Sequence, residues 1–429
     1  MIGFLLGSFF TLLAIGLPVA FVLIVMTMCV YAGLDFWQLF LQIPQRLFSP
    51  MENTLYLAIP FFILTGEIMN RAQITDKIMG LASSMVGFLR GGLAHTNIMA
   101  SILFAGITGS AVSDTVAIGS IMMPAMKKEG YPADFSAAVT ASSSVIGPII
   151  PPSIPFLIYA SVMKVSVAGL FLGGIIPGLL VGFALMAISY ILCKKQNFGA
   201  PRKFVGLWVL CRDFLRAIPA LLMPVIIMGG ILGGWFSPTG ASAIAAVYAL
   251  IVGLIYYRTL KFKDIVPILR VTLKSSAMIM FILGSAQIFA WLVTYFKLVE
   301  VVANAVLAIV HEPWSFLLLI NGILLVVGMF LDMSFSIIVL GPLFGPVATT
   351  MGIDPIQFGL IMCVNLTIGL ATPPFGLCLF GICGVDRDVT MSSVSKAILP
   401  FVGAEVIALL LVTYIPPCTM FLPRLFGYA

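Results

Sequence analysis

Residues 106–132 read GITGSAVSDTVAIGSIMMPAMKKEGYP and gather Thr108, Ser110, Ser113, Asp114 and Thr115 within eight positions, between glycines. One carboxylate and four hydroxyls present only oxygen, the donor that hard cations take. Acid–base or nucleophilic chemistry would need more. His95 and His311 are isolated, no HExxH occurs, and no nucleophile stands beside a base. A second stretch, GMFLDMSFSIIVLGPLFGPVATTMGIDP at 328–355, carries Asp332, Ser334 and Ser336 in a comparable setting. A carboxylate at membrane depth is costly and marks a functional site by default. The plainer role for each Asp is to cap a helix, since Ser, Thr and Asp are favoured caps.

The elements around these residues are apolar. Charged residues are 9% of the 429 and hydrophobic ones 61%, with a mean hydropathy of +1.17. Ordinary globular domains have about 25% charged residues. Runs of spanning length recur from end to end, each crossing needing about 20 residues. The fold class is therefore an all-α polytopic membrane protein, with about 10–12 transmembrane helices expected from these runs. The net charge of +6 lies in loops, where lipid orientation accounts for it, so nucleic acid is not implied. The seven cysteines show no metal spacing and are expected to be reduced and buried. No GxxxxGK[ST] stretch is present, which excludes ATP hydrolysis through a P-loop.

The two polar stretches belong to a repeat. At a constant offset of 222, Gly106, Gly119, Pro124, Gly130, Gly147, Pro151 and Pro152 meet Gly328, Gly341, Pro346, Gly352, Gly369, Pro373 and Pro374. With 40 Gly and 26 Pro in the chain, chance predicts about 0.6 such identities over that length, so the halves share a fold. Gly and Pro set backbone shape, and matching them matches bends. Ser110 then falls opposite Asp332, and Asp114 opposite Ser336: each half has one Asp and one Ser in reversed order.

Loop charges orient the halves. Lys194, Lys195, Arg202, Lys203, Arg212 and Arg216 in loop 194–216, and Arg258, Lys261, Lys263, Arg270 and Lys274 in loop 258–274, mark one side as cytoplasmic. Counting spans from there makes 93–126 and 313–346 re-entrant hairpins entering from opposite faces. Inverted repeats with broken helices are secondary-transporter architecture. The broken helices are 134–163, interrupted by SSSVIGPIIPPSIP, and 356–384, interrupted by NLTIGLATPPFG. Proline removes a donor and frees carbonyls upstream. Together with the hydroxyls they can cage a sodium ion beside each tip. Residues 1–92 and 217–296 form a scaffold, and 93–193 and 297–429 a transport domain. Segment 36–52 reads as an external interfacial helix, residues 2–33 as a retained span, and Glu67 with Arg71 as a local ion pair.

The motifs FAGITGSAVSDTVAIGSIMMPAMKKEGYP, GPIIPPSIPFLIYA and NLTIGLATPPFG resemble the large membrane subunit of TRAP (tripartite ATP-independent periplasmic) transporters, over essentially the whole chain. The resemblance implies a multi-pass protein of the bacterial inner membrane, working by an elevator motion. Its partners would be a small four-helix membrane subunit, expected as a separate protein, and a periplasmic binding protein that delivers an organic acid. Sodium would drive uptake, with no other cofactor. Position by position, one sodium would lie at Ser110, Ser113, Asp114, Ser144, Gly147 and Pro148. A second would lie at Gly328, Asp332, Ser334, Asn365, Thr367 and Gly369. Substrate would lie near Thr115, Ser143, Pro151, Pro152, Thr372 and Pro373. Lys127 is a candidate to meet an anionic substrate leaving toward the cytoplasm. The chain looks most like the sialic-acid members. The alternative within transport is a stand-alone dicarboxylate/sodium symporter; an enzyme or a channel finds less support in the motifs.

Overall fold

The computed structural model describes residues 7–9, 11–13, 15–106, 108–310 and 312–428; His311 lies outside them. Among the described residues there are helices and turns but no β-strand. The first half contains α1 (Val19–Gly33), α2 (Ala58–Arg71), α3 (Ile74–Val86), α4 (Gly92–Phe104), α5 (Ala111–Lys128), α6 (Ala133–Ser143), α7 (Ile154–Met163) and α8 (Val167–Lys195). The second contains α9 (Leu207–Leu232), α10 (Pro238–Ile251), α11 (Phe262–Tyr295), α12 (Leu298–Ile309), α13 (Pro313–Phe330), α14 (Met333–Thr350), α15 (Pro355–Gly369), α16 (Leu377–Val385), α17 (Met391–Ala397), α18 (Leu399–Tyr414) and α19 (Pro417–Leu425).

The offset of 222 carries both ends of α5 onto those of α14, and the start of α6 onto the start of α15. Gly130 and Gly352, at equivalent turns, both have φ +79°. Packing is reciprocal as well. Helix α5 lies on α16, and α14 lies on α7, so each hairpin's inner arm rests on the other half's broken helix. The matched glycines permit this approach. A Cβ at Gly119 would come within 2.7 Å of Ile382, and one at Gly341 within 3.8 Å of Met163. In the same way α10 packs on α2, and α1 on α11.

Six described helices are long and apolar enough to cross a membrane, or eight if each bent pair is one span. Broken spans explain why this is fewer than the number of apolar runs. Shorter apolar helices, α1, α4, α7 and α15 among them, begin or end where glycine or proline interrupts the run. Trp37–Glu52 forms a string of short helical turns bent 64° from the following helix, with Trp37 and Phe48 exposed as an interfacial segment requires. The run 2–33 is interrupted by a turn at Gly16, φ +87°, before α1.

Several boundaries and pairings differ from expectation. Helix α9 begins at Leu207 and not near 217, because its basic residues lie on its first turns rather than in a loop. Arg71 reaches Asp264 at 3.6 Å, across to α11, instead of pairing with Glu67. The cysteines are free, but Cys29 and Cys211 are exposed. His95 is buried, yet neither ring nitrogen has a hydrogen-bond partner.

Candidate functional site

The first hairpin turns between α4 and α5. Gly106 and Gly109 have φ of +78° and +63°, the left-handed region that glycine enters at no steric cost. A side chain at Gly106 would run into the Pro151 carbonyl, so the tip lies directly on the break between α6 and α7. Ser110 caps α5, its hydroxyl accepting from the Ser113 amide at 3.4 Å. Asp114, one turn further on, is fully buried. The Thr108 hydroxyl donates to its Oδ1. Its Oδ2 is buried with no hydrogen-bond partner among the described residues and faces Gly147, where any Cβ would collide with it.

The broken helix completes this pocket of oxygens. After α6 the chain makes a short 3-10 turn, Ser144–Ile146, and then runs irregularly to Ser153. The Ser144 hydroxyl donates to the Thr140 carbonyl at 2.7 Å, and Ser153 to the Pro148 carbonyl at 2.5 Å. Ser143 is buried against α4: it donates to Asn97 Oδ1 at 3.1 Å and accepts from Ser101 at 2.9 Å. Thr115 is buried and bonds back to the Ala111 carbonyl at 2.8 Å. A Cβ at Gly381 would lie 3.5 Å from its methyl group, so the first tip also reaches α16 of the other half.

The second tip is built differently from equivalent parts. Asp332 is the N-cap of α14, with Oδ1 accepting from the Ser334 and Phe335 amides at 2.9 and 3.4 Å. Ser336, opposite Asp114 in the repeat, is buried and donates to the Asp332 carbonyl at 2.9 Å. Here backbone meets backbone: a Cβ on Gly328 would lie 3.0 Å from the Leu366 carbonyl and 3.2 Å from Gly369 Cα. Asn365 is fully buried and donates to the carbonyl and side-chain oxygens of Asn321 at 2.9 and 2.8 Å. Its own Oδ1 is buried without a partner. Thr367 donates to the Cys363 carbonyl at 2.6 Å, and Thr372 to the Ile368 carbonyl at 2.8 Å.

Each sodium set named from the sequence is thus drawn together around one tip and its broken helix, and Pro151, Pro152, Thr372 and Pro373 lie in the two breaks. Lys127 is not with them. It sits thirteen residues along α5 from Asp114, about 20 Å away at helical rise. Its ammonium is held by Asp386 at 2.9 Å and Asp388 at 2.6 Å, tying the end of α5 to the end of α16. Two further buried polar side chains stand out. Thr108 stood in the polar cluster, but its bond to Asp114 depends on the turn. Glu405 is the lone acid in the apolar run of α18; it is fully buried, and neither oxygen has a hydrogen-bond partner among the described residues.

Two reciprocal hairpins against two broken helices, each enclosing oxygen donors amid apolar helices, define a multi-pass membrane transporter rather than an enzyme. Residues 6–418 match the family described as tripartite ATP-independent periplasmic transporter, DctM component. The chain belongs to that family and is a large permease subunit located in the inner membrane. It is 38% identical to the sialic acid TRAP transporter large permease protein SiaM of Vibrio cholerae, over 100% of both chains. It is 38% identical to the C4-dicarboxylate large permease protein DctM of Pseudomonas aeruginosa, over 89% of each. With the 2,3-diketo-L-gulonate large permease protein YiaN of Escherichia coli it shares 35%, over 97% of this chain and 96% of that one. The crystal structure of the Alcanivorax borkumensis YdaH transporter superposes with a TM-score of 0.63 at 14% identity, covering 89% of this chain and 88% of that one; it is a likeness of fold alone.

Proposed function

We propose that this permease imports an organic acid by sodium symport, the acid being handed over by a periplasmic binding protein while a small membrane subunit braces the scaffold. The observation that carries the reading is Asp114 Oδ2: a buried carboxylate oxygen with no hydrogen-bond partner, aimed at the glycine-lined break of a helix. Such a group is costly in protein at membrane depth unless a cation or a proton neutralises it, and the oxygens around it favour a cation. Ser110, Ser113 and the carbonyls near Ser144, Gly147 and Pro148 supply the remaining oxygens of a first sodium site. The second is formed by the backbone at Gly328 and Gly369, by Ser334, Asn365 and Thr367, and by Asp332 beyond its capping oxygen.

Substrate lies between the tips, near Thr115, Ser143, Pro151, Pro152, Thr372 and Pro373. The names of the relatives favour an organic acid as cargo, and the full-length likeness to SiaM favours sialic acid. The hairpins and broken helices move together as an elevator. Their reciprocal packing, reinforced by Lys127 with Asp386 and Asp388, makes one body from both halves. The test is uptake into proteoliposomes containing both membrane subunits, with loaded binding protein outside and sodium on either or neither side. Uptake is expected only with inward-directed sodium and loaded binding protein. Equal uptake without sodium would refute symport.

A further inference from the structure

Beside the second hairpin lies a cavity of about 560 Å³. It is lined by Leu23 of α1, Val293 of α11, Leu298 and Val302 of α12, and Leu340 and Leu343 of α14. The one hydroxyl in the lining, that of Ser336, is already committed to the Asp332 carbonyl at 2.9 Å. Water stays in a cavity only where two to four polar partners hold it, and apolar cavities remain dry. Left empty, a void of this size would forfeit packing in proportion to its volume, a loss comparable to a domain's whole net stability. An apolar occupant is required. Val326 and Phe330, also in the lining, are 53% and 56% exposed, so the cavity opens on the surface of α13, a helix long and apolar enough to cross a membrane. At its edge, next to Leu298, the Lys297 ammonium stands 3.7 Å from the Glu300 carboxylate, with side chains 70% and 65% exposed.

We infer that this cavity is a phospholipid site. One acyl chain fills it, and the headgroup lies over the start of α12. The lipid phosphate meets Lys297, and the amine of a zwitterionic headgroup meets Glu300. The occupant lies between hairpin and scaffold helices, acting as a packing layer between them. Neither sodium coupling nor the identity of the substrate enters this inference.

Native mass spectrometry of the purified two-subunit complex, washed in detergent and titrated with phosphatidylethanolamine, tests it. Wild type should retain one more lipid than either Leu340→Trp or Val302→Trp, which fill the cavity from two different helices. If one of these fails to assemble, the other still decides. Lys297→Ala should weaken retention about threefold, as for an exposed ionic contact. Added phosphatidylethanolamine should raise the melting temperature of wild type but not of the filled variants. Equal lipid retention in wild type and a filled variant would overturn the site. Retention unaffected by Lys297→Ala would overturn the headgroup assignment.

Discussion

The two hairpin tips are equivalent by sequence and packing, yet they use their carboxylates in opposite ways. In the first, serine caps the helix at Ser110 and the acid sits one turn inside, buried, with a free oxygen against Gly147. In the second, the acid caps the helix at Asp332 and serine sits one turn inside, its hydroxyl donating to the Asp332 carbonyl. A cap satisfies amides that would otherwise lack partners and stays close to water. A carboxylate one turn further in has no such partner and depends on what the broken helix brings. The exchanged order of Asp and Ser therefore divides the tips: one buries its carboxylate a turn inside the helix, and the other spends it at the helix entrance.

The largest expected effect separates them directly. Asp114→Asn should raise the sodium concentration for half-maximal uptake on the order of tenfold or more, the equivalent of losing the ~1.5–3 kcal/mol of a charged partner. Asp332→Asn should shift it much less, since Asn caps as well as Asp. Equal shifts in a sodium titration would erase the distinction between the tips. Gly147→Ala should resemble Asp114→Asn in uptake, because its Cβ falls on the carboxylate; wild-type sodium dependence in that variant would place the ion elsewhere.

A smaller effect concerns the cap itself. Asp332→Ala should lower stability by about 1 kcal/mol, read by thermal unfolding, while Ser110→Ala costs less because its bond is long at 3.4 Å. A larger loss at Ser110 would reverse the assignment of capping strength.

The smallest effect lies away from both tips. The Lys127 ammonium beside Asp386 holds that carboxyl below the usual carboxylate range. The folded state thus binds fewer protons there than the unfolded one. The contribution is present above the unfolded pKa and is lost as pH falls through the lowered folded value. Asp386→Asn should lower the melting temperature at neutral pH by no more than about 2 °C, since solvent screens the pair. The gap should close in acid, and a gap that persisted there would assign the effect to packing.

Local chemistry made much of this legible from the chain. Hydropathy marked the apolar runs, and glycine and proline, which act through the backbone alone, revealed the repeat whose offset carries α5 onto α14. Of the two acids weighed as caps, Asp332 does cap its helix, whereas Ser110 takes that place in the first half. Long-range partners were not legible. That Arg71 chooses Asp264 over Glu67, and that Lys127 is held by Asp386 and Asp388, depends on which helices lie side by side. Nor could spacing tell Asp114 from Asp332, because both are acids at polar turns. Only the packed structure decides that one caps its helix while the other is buried against Gly147. Burial and an unpaired oxygen are properties of the surroundings, and those arrive from residues far away in the chain.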